Sequence, residues 1–262
     1  MAEILKKSDF GESAVNGLNN RAVQVLQEIF SGTLDLDDLV ADRNALFPNY
    51  EDVNALAEVL ASNASEEEYQ RALEAHPSLV LGAFGHGQSS DLAFLSKPKI
   101  SSLFVADFAV LSYDQGGCKV CLLEIERATA RVFNQAGRPA RDLQYAMGQV
   151  RDWDRWISSS RRSFVKELVL HASRLPVYPE TAANGSFLTV APEALETTWR
   201  DFDGYDNPVI EYAVLIGRWS KLTQDERDRL RHMNQRDATL CRIWTYDQLV
   251  RRAVMRPAIR FY

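Results

Sequence analysis

Residues 104–126 read Phe-Val-Ala-Asp-Phe-Ala-Val-Leu-Ser-Tyr-Asp-Gln-Gly-Gly-Cys-Lys-Val-Cys-Leu-Leu-Glu-Ile-Glu. Two apolar runs rich in β-branched and aromatic residues flank a glycine-containing turn, the signature of a β-hairpin. A turn centred on Gln115 and Gly116 sets Asp114 opposite Gly117 and, counting outward, Asp107 opposite Glu124. Side chains directly opposite in an antiparallel pair lie roughly 4.5–5.5 Å apart at Cβ. Strand side chains alternate with period two, so Glu126 shares the face of Glu124.

Three carboxylates are therefore expected on one face of an otherwise apolar hairpin. Like charges directly opposite destabilise a sheet, and buried unpaired carboxylates cost more still. A hard divalent cation such as Mg²⁺, which takes carboxylate oxygens, removes that cost. The alternative is an acidic face left in water. A single polar position interrupts each apolar run, and the two positions match in register.

Asp107, Glu124 and Glu126 resemble the core motif of the PD-(D/E)xK nuclease superfamily, an Asp on one strand and Glu-x-Lys on the next. More narrowly, the chain resembles the Shedu-type immune nucleases of bacteria. Gln149-Val150-Arg151-Asp152-Trp153, Ile216-Gly217-Arg218 and Thr245-Tyr246-Asp247-Gln248-Leu249 resemble that family's later segments. Glu67 to Pro77 resembles its opening helix. The resemblance implies metal-dependent hydrolysis of DNA phosphodiester bonds in anti-phage defence. It assigns Asp107, Glu124 and the Ile125 carbonyl to Mg²⁺, with Mn²⁺ as an alternative ion. A glutamate of the opening helix completes such sites. The Glu-x-x-Gln pattern selects Glu67, with Glu66, Glu68 and Glu74 as competitors. Gln149 is expected to orient the water or a phosphate. Glu126 stands where the motif has Lys, and Lys119 lies on the opposite strand face and cannot replace it. Glu126 then acts as general base or binds a second ion; otherwise the chain is a catalytically impaired nuclease-fold module that binds nucleic acid or senses a partner. Assembly into a homo-oligomer follows from the resemblance alone.

The chain has 262 residues, 46% hydrophobic and 25% charged, with a net charge of −6. No run reaches the roughly 18–20 apolar residues of a membrane span, and the first residues lack a signal-peptide core. An odd number of cysteines (Cys118, Cys121, Cys241) points to a reducing cytoplasm rather than a disulfide framework. Cys118 and Cys121 are three apart on a strand and so face opposite ways. Residues 1–126 carry 8 Lys/Arg against 20 Asp/Glu, whereas residues 127–262 carry 22 against 16. The basic part supplies the candidate DNA contacts Arg127, Arg151, Arg155, Arg161 and Arg162, although a charged helix face is also how helices meet water.

Helical spacing and breakers predict an α/β protein with a mixed sheet flanked by helices. A small helical region is expected over 1–61, and the resemblance implies a PD-(D/E)xK nuclease-like domain over 62–262. Leu36, Leu39 and Val40 follow helical spacing in the first region. Ser65 and Glu68 form a capping box for a helix that Pro77 closes. Residues 82–100 read as turn-rich, with His86 between glycines as a candidate contact to substrate or metal. A helix follows over 140–159, with a Leu143, Met147, Val150, Trp153 and Ile157 core stripe. Residues 164–172 and 209–217 read as buried strands, 176–208 as an irregular excursion, 223–234 as a helix, 239–246 as a last strand and 249–254 as a last helix. Pro257 ends the last helix.

Overall fold

In the computed structural model the hairpin forms in the expected register, with β2 (Phe108–Asp114) antiparallel to β3 (Gly117–Ile125) and Phe108 opposite Leu123. The structure describes residues 19–30, 48–85, 91–236 and 240–255. His86, the segment around Leu36, Leu39 and Val40, Thr239 and Pro257 lie outside the described residues. Asp114 holds the turn by accepting from Gly116 N at 2.6 Å and from Lys119 Nζ at 2.6 Å. The hairpin is the centre of a six-stranded mixed sheet of order β4-β1-β2-β3-β5-β6. β1 (Asp91–Ser96) pairs antiparallel with β2 and with the short β4 (Phe187–Leu188). On the other side β5 (Val209–Leu215) and β6 (Arg242–Trp244) run parallel to β3.

Strand alternation divides the interior in two. Phe94, Phe108, Val110, Cys121 and Leu123 pack on helices α1 (Asn20–Phe30), α2 (Tyr50–Ala61), α3 (Glu66–Ala75), α4 (Pro77–Phe84) and α8 (Tyr246–Met255). Ala109, Leu111, Cys118, Val120 and Leu122 pack on the opposite layer with α5 (Arg141–Ala172), α6 (Pro192–Asp201) and α7 (Gln224–Arg236). Cys118 and Cys121 thus do face opposite ways, and both are free and buried.

Local chemistry sets the element ends. Ser65 and Glu68 form the expected capping box at α3. Pro77 closes α3 and also opens α4 from its first turn, where its missing N–H has no helical partner to lose. Thr223 and Glu226 cap α7, and Thr245 and Gln248 cap α8.

Three expectations are corrected. Residues 164–172 are not a strand: α5 continues through a kink at Ser160 (φ −136°, ψ 23°), burying Phe164, Val165, Leu168, Val169 and Ala172 at helical spacing. A short apolar run cannot by itself tell a buried strand from a buried helix. The turn-rich stretch 82–100 contains β1, and the excursion 176–208 contains α6, which Pro192 opens and Leu195 and Trp199 anchor.

Leu168 and Leu170 would share one face of a strand, but in α5 Leu168 is buried and Leu170 is 47% exposed. Leu168→Ala should cost about 2–5 kcal/mol, and Leu170→Ala at most about 0.5 kcal/mol. Urea unfolding midpoints of the two variants measure this; equal shifts would return the segment to a strand.

Candidate functional site

The acidic cluster lies where the hairpin pairing runs out. Asp107 immediately precedes β2; its N–H donates to Leu123 O at 3.1 Å, and one carboxylate oxygen, Oδ2, accepts from Ile125 N at 2.7 Å. Asp107 is therefore tied to the Glu124–Ile125 end of β3, as the register predicts. Asp107 and Glu124 are 6% and 7% exposed, among few buried charged side chains in the described residues.

The cation beside them enters from an unexpected place. Lys97 follows β1, its N–H donates to Asp107 O at 2.8 Å, and its Nζ hydrogen-bonds Asp107 Oδ1. Lys97 has φ +51°, the left-handed region that non-glycine side chains rarely enter. Local strain of this kind is retained where the surroundings over-determine it. Here the backbone and ammonium contacts to Asp107 do so. No sequence periodicity links Lys97 to Asp107, so only the fold reveals the pair.

Burial raises the pKa of Glu124, and the negative charges of Asp107 and Glu126 raise it further, with Lys97 opposing them. Burial also pushes Glu126 up to about 7, reinforced by Glu66, Asp142 and Asp107 and opposed by Arg127. Glu66 is raised by burial and by Asp107. On the opening helix Glu66 therefore couples to Asp107 and Lys97, and Glu67 couples to Lys97. Glu67, fully exposed, is lowered by hydrogen bonds at the helix N-terminus and interacts with Arg71 and Lys97. Successive helix residues point about 100° apart, so a one-residue shift decides which of them faces the sheet.

Gln70 completes the inner wall. It is 6% exposed, and its Nε2 donates to Glu74 Oε1 at 3.0 Å, Ser96 Oγ at 3.1 Å and Asp107 O at 3.4 Å. Gln70 Oε1 and the buried Tyr69 hydroxyl have no hydrogen-bond partner among the described residues. Tyr69 packs on Tyr246 with ring centroids 4.9 Å apart, and Tyr246 OH donates to Glu126 O at 2.9 Å.

Tyr246 belongs to a second buried framework. Arg218 grips Asp247 through Nε to Oδ2 at 2.8 Å and Nη2 to Oδ1 at 3.1 Å, and Asp247 Oδ2 also accepts from Trp219 N at 2.8 Å. Planar two-point pairing of this kind fixes orientation as well as charge. Gly217, at φ +67°, donates to Arg127 O at 3.2 Å and accepts from Tyr246 N at 3.1 Å, so the chain after Glu126 is held to the ends of β5 and β6.

Other candidates lie outside this cluster. Gln149 is exposed on α5 and has no hydrogen bond to Asp107, Glu124 or Glu126. Arg127, Arg155 and Arg162 pair with Asp142 at 3.8 Å, Asp152 at 3.7 Å and Asp206 at 3.1 Å. Arg151 and Arg161 are exposed on α5.

The chemistry of the donor set suits a hard divalent ion: two buried carboxylates repel each other, and an orphaned amide oxygen lies close by. The set is not preassembled. Among the described residues no three His, Cys, Asp or Glu side chains converge to hold an ion, and Lys97 occupies one Asp107 oxygen. The convergence expected of three carboxylates is electrostatic rather than a formed cage.

A family described as "Shedu protein SduA, C-terminal" matches residues 63–250. The chain belongs to this Shedu family. Its membership makes it a Shedu defence-system protein. The matched span holds Gln70, Lys97, Asp107, Glu124, Arg218 and Asp247. No curated protein and no solved structure matches the chain. No helix among the described residues is long and apolar enough to cross a membrane.

A carboxyl whose folded pKa is raised loses its proton earlier in the unfolded chain, so stability falls as pH rises between the two values. For Glu126 that window runs from its model-compound value of 4.5 to about 7; Glu124 acts in the same direction. Glu124→Gln should therefore raise the melting temperature at pH 7.5, and Lys97→Met should lower it. Melting curves from pH 4.5 to 8 test both signs, and a destabilising Glu124→Gln at pH 7.5 would show that the repulsion is already relieved.

Proposed function

We propose that this Shedu protein is a Mg²⁺-dependent nuclease that hydrolyses DNA phosphodiester bonds in anti-phage defence. The observation that carries the reading is the buried Asp107–Glu124 pair tied across the hairpin end by the Ile125 N–H and met by one lysine. Asp107, Glu124 and the Ile125 carbonyl would hold the ion, with Glu66 or Glu67 reaching in from α3. A bound Mg²⁺ supplies a Lewis acid for the scissile phosphate and lowers the pKa of a water. Glu126, with its carboxyl near 7, is suited to accept that water's proton, since a base works best with a pKa close to the working pH. Lys97 would have to release Asp107 Oδ1 for an ion to be held there, and its ammonium would then be available to position the attacking water, the role the superfamily gives to the Lys that Glu126 replaces. Gln149 would have to reach the substrate from the α5 surface.

A second reading has one observation in its favour: Lys97 already sits on Asp107, so the ammonium substitutes for the ion and the fold binds nucleic acid without cutting it. Incubation of the protein with linear duplex and single-stranded DNA in Mg²⁺, Mn²⁺ or EDTA separates the two. The nuclease reading expects cleavage that EDTA abolishes and that Asp107→Asn, Glu124→Gln and Lys97→Met each reduce about a hundredfold or more. DNA binding without cleavage under any of these ions would establish the second reading. Cleavage by Asp107→Asn at the wild-type rate would remove the site altogether.

A further inference from the structure

A groove of about 920 Å³ lies between α1, the turn after β5, α7 and the start of α8, away from the carboxylates. Small-molecule sites in proteins span about 300–1,000 Å³. Four arginines line it: Arg227, Arg231, Arg251 and Arg252. Its two acidic residues are already engaged. Asp247 is gripped by Arg218, and Glu28 lies 3.4 Å from Arg218 and 3.6 Å from Lys221. Arg231 also bridges Asp228 at 2.7 Å, with both side chains more than half exposed; exposed pairs of this kind are weak and are readily exchanged for a ligand.

Two further features give the groove a chemical preference. Arg227 and Arg231 lie over the Trp219 ring at 5.5 and 5.3 Å, and Arg252 lies over Trp244 at 4.7 Å, so guanidinium and indole planes are layered along the groove. Arg227 Nε and Ser220 Oγ are shielded from solvent and have no hydrogen-bond partner among the described residues. Both can donate, and each belongs to a lining residue. Shielded donors left unpaired are rare in folded proteins and mark a missing acceptor. Two donors among arginines call for an anion with several oxygens.

We propose that this groove is a second ligand site that takes a nucleotide unit, a phosphate joined to an aromatic base. Arg227 Nε and Ser220 Oγ donate to the phosphate, and Arg231, Arg251 and Arg252 supply the surrounding positive charge. The base stacks against the layered Trp and Arg planes, as bases do on aromatic and guanidinium surfaces in single-strand binding. The unit comes either from a free nucleotide or from a single strand, and the chemistry of recognition is common to both. The site uses none of the carboxylate residues, so it stands or falls apart from the nuclease reading.

Fluorescence anisotropy with labelled dT10 and calorimetry with ATP, both in EDTA, test it on the full chain. EDTA keeps metal chemistry at Asp107 and Glu124 out of the measurement. Binding of either probe is expected, weakened at least tenfold by Arg227→Gln combined with Arg231→Gln and measurably by Ser220→Ala. Affinity should not change in Lys166→Gln, an exposed position on α5. Competition between the probes supports one shared site; binding of ATP alone or of dT10 alone supports it and assigns the source. The proposal is overturned if neither probe binds or if the double variant binds like wild type. It is also overturned if Lys166→Gln weakens binding as much, or if inorganic phosphate displaces the probes as effectively as ATP, which would leave no role for the base. Should the double variant not fold, Ser220→Ala and Arg227→Lys, which keeps the charge and removes the Nε donor, decide the matter.

Discussion

Burial of two like charges at the end of one hairpin is the constraint around which the site is arranged. Asp107 and Glu124 are both nearly excluded from solvent, and a buried carboxylate without a counter-charge costs several kcal/mol. The fold meets that cost with a main-chain N–H from Ile125, an ammonium from Lys97 and a raised pKa at Glu124. Each compensation fixes something else. The Ile125 contact locks the register beyond the last paired residues, and the Lys97 contact dictates the left-handed backbone at the end of β1. Gln70, reaching Asp107 O from α3, brings the opening helix into the same arrangement.

The Arg218–Asp247 pair does a different job. Its charges are opposite, so its burial is compensated internally, and what it contributes is position. Removing one partner of such a pair strands the other charge, whereas replacing both can be nearly neutral. Around it, Gly217, Arg127 and Tyr246 exchange backbone hydrogen bonds, and Tyr246 reaches Glu126 O. The chain leaving β3 is thus clamped to the two parallel strands beside it. The same Asp247 orients the Trp219 backbone at the wall of the arginine groove, so one carboxylate ties the edge of the acidic cluster to the second groove.

The hairpin could be read from sequence because three independent signals coincide there: a glycine turn, period-two alternation and matched polar interruptions. The core stripe of α5 was legible for the same reason. Phe164 to Ala172 carries an apolar run whose period is ambiguous over so short a stretch, and the kink at Ser160 removes the cue that it continues a helix. β1 was hidden by the glycines and serines before it and the Lys-Pro-Lys after it. Glu66 and Glu67 differ by one step of helical phase, which a capping box sets only to within a residue. Lys97 could not be found at all, because nine residues of loop and turn separate it from Asp107 and no pattern spans a loop.

Lys97 also changes what Glu126 means. In a Glu-x-Lys strand, parity places the lysine on the same face as the glutamate, so charge compensation comes from within one strand. Here that position carries a further negative charge, and the cation arrives from the neighbouring antiparallel strand end. Glu66, Asp107, Glu124, Glu126 and Asp142 then act against Lys97 and Arg127, a set in which carboxylates outnumber cations. Such a deficit cannot be met by one ammonium, and the raised pKa values of Glu124 and Glu126 are its visible consequence. Glu126 increases the local demand for positive charge, a demand that a divalent ion would lower.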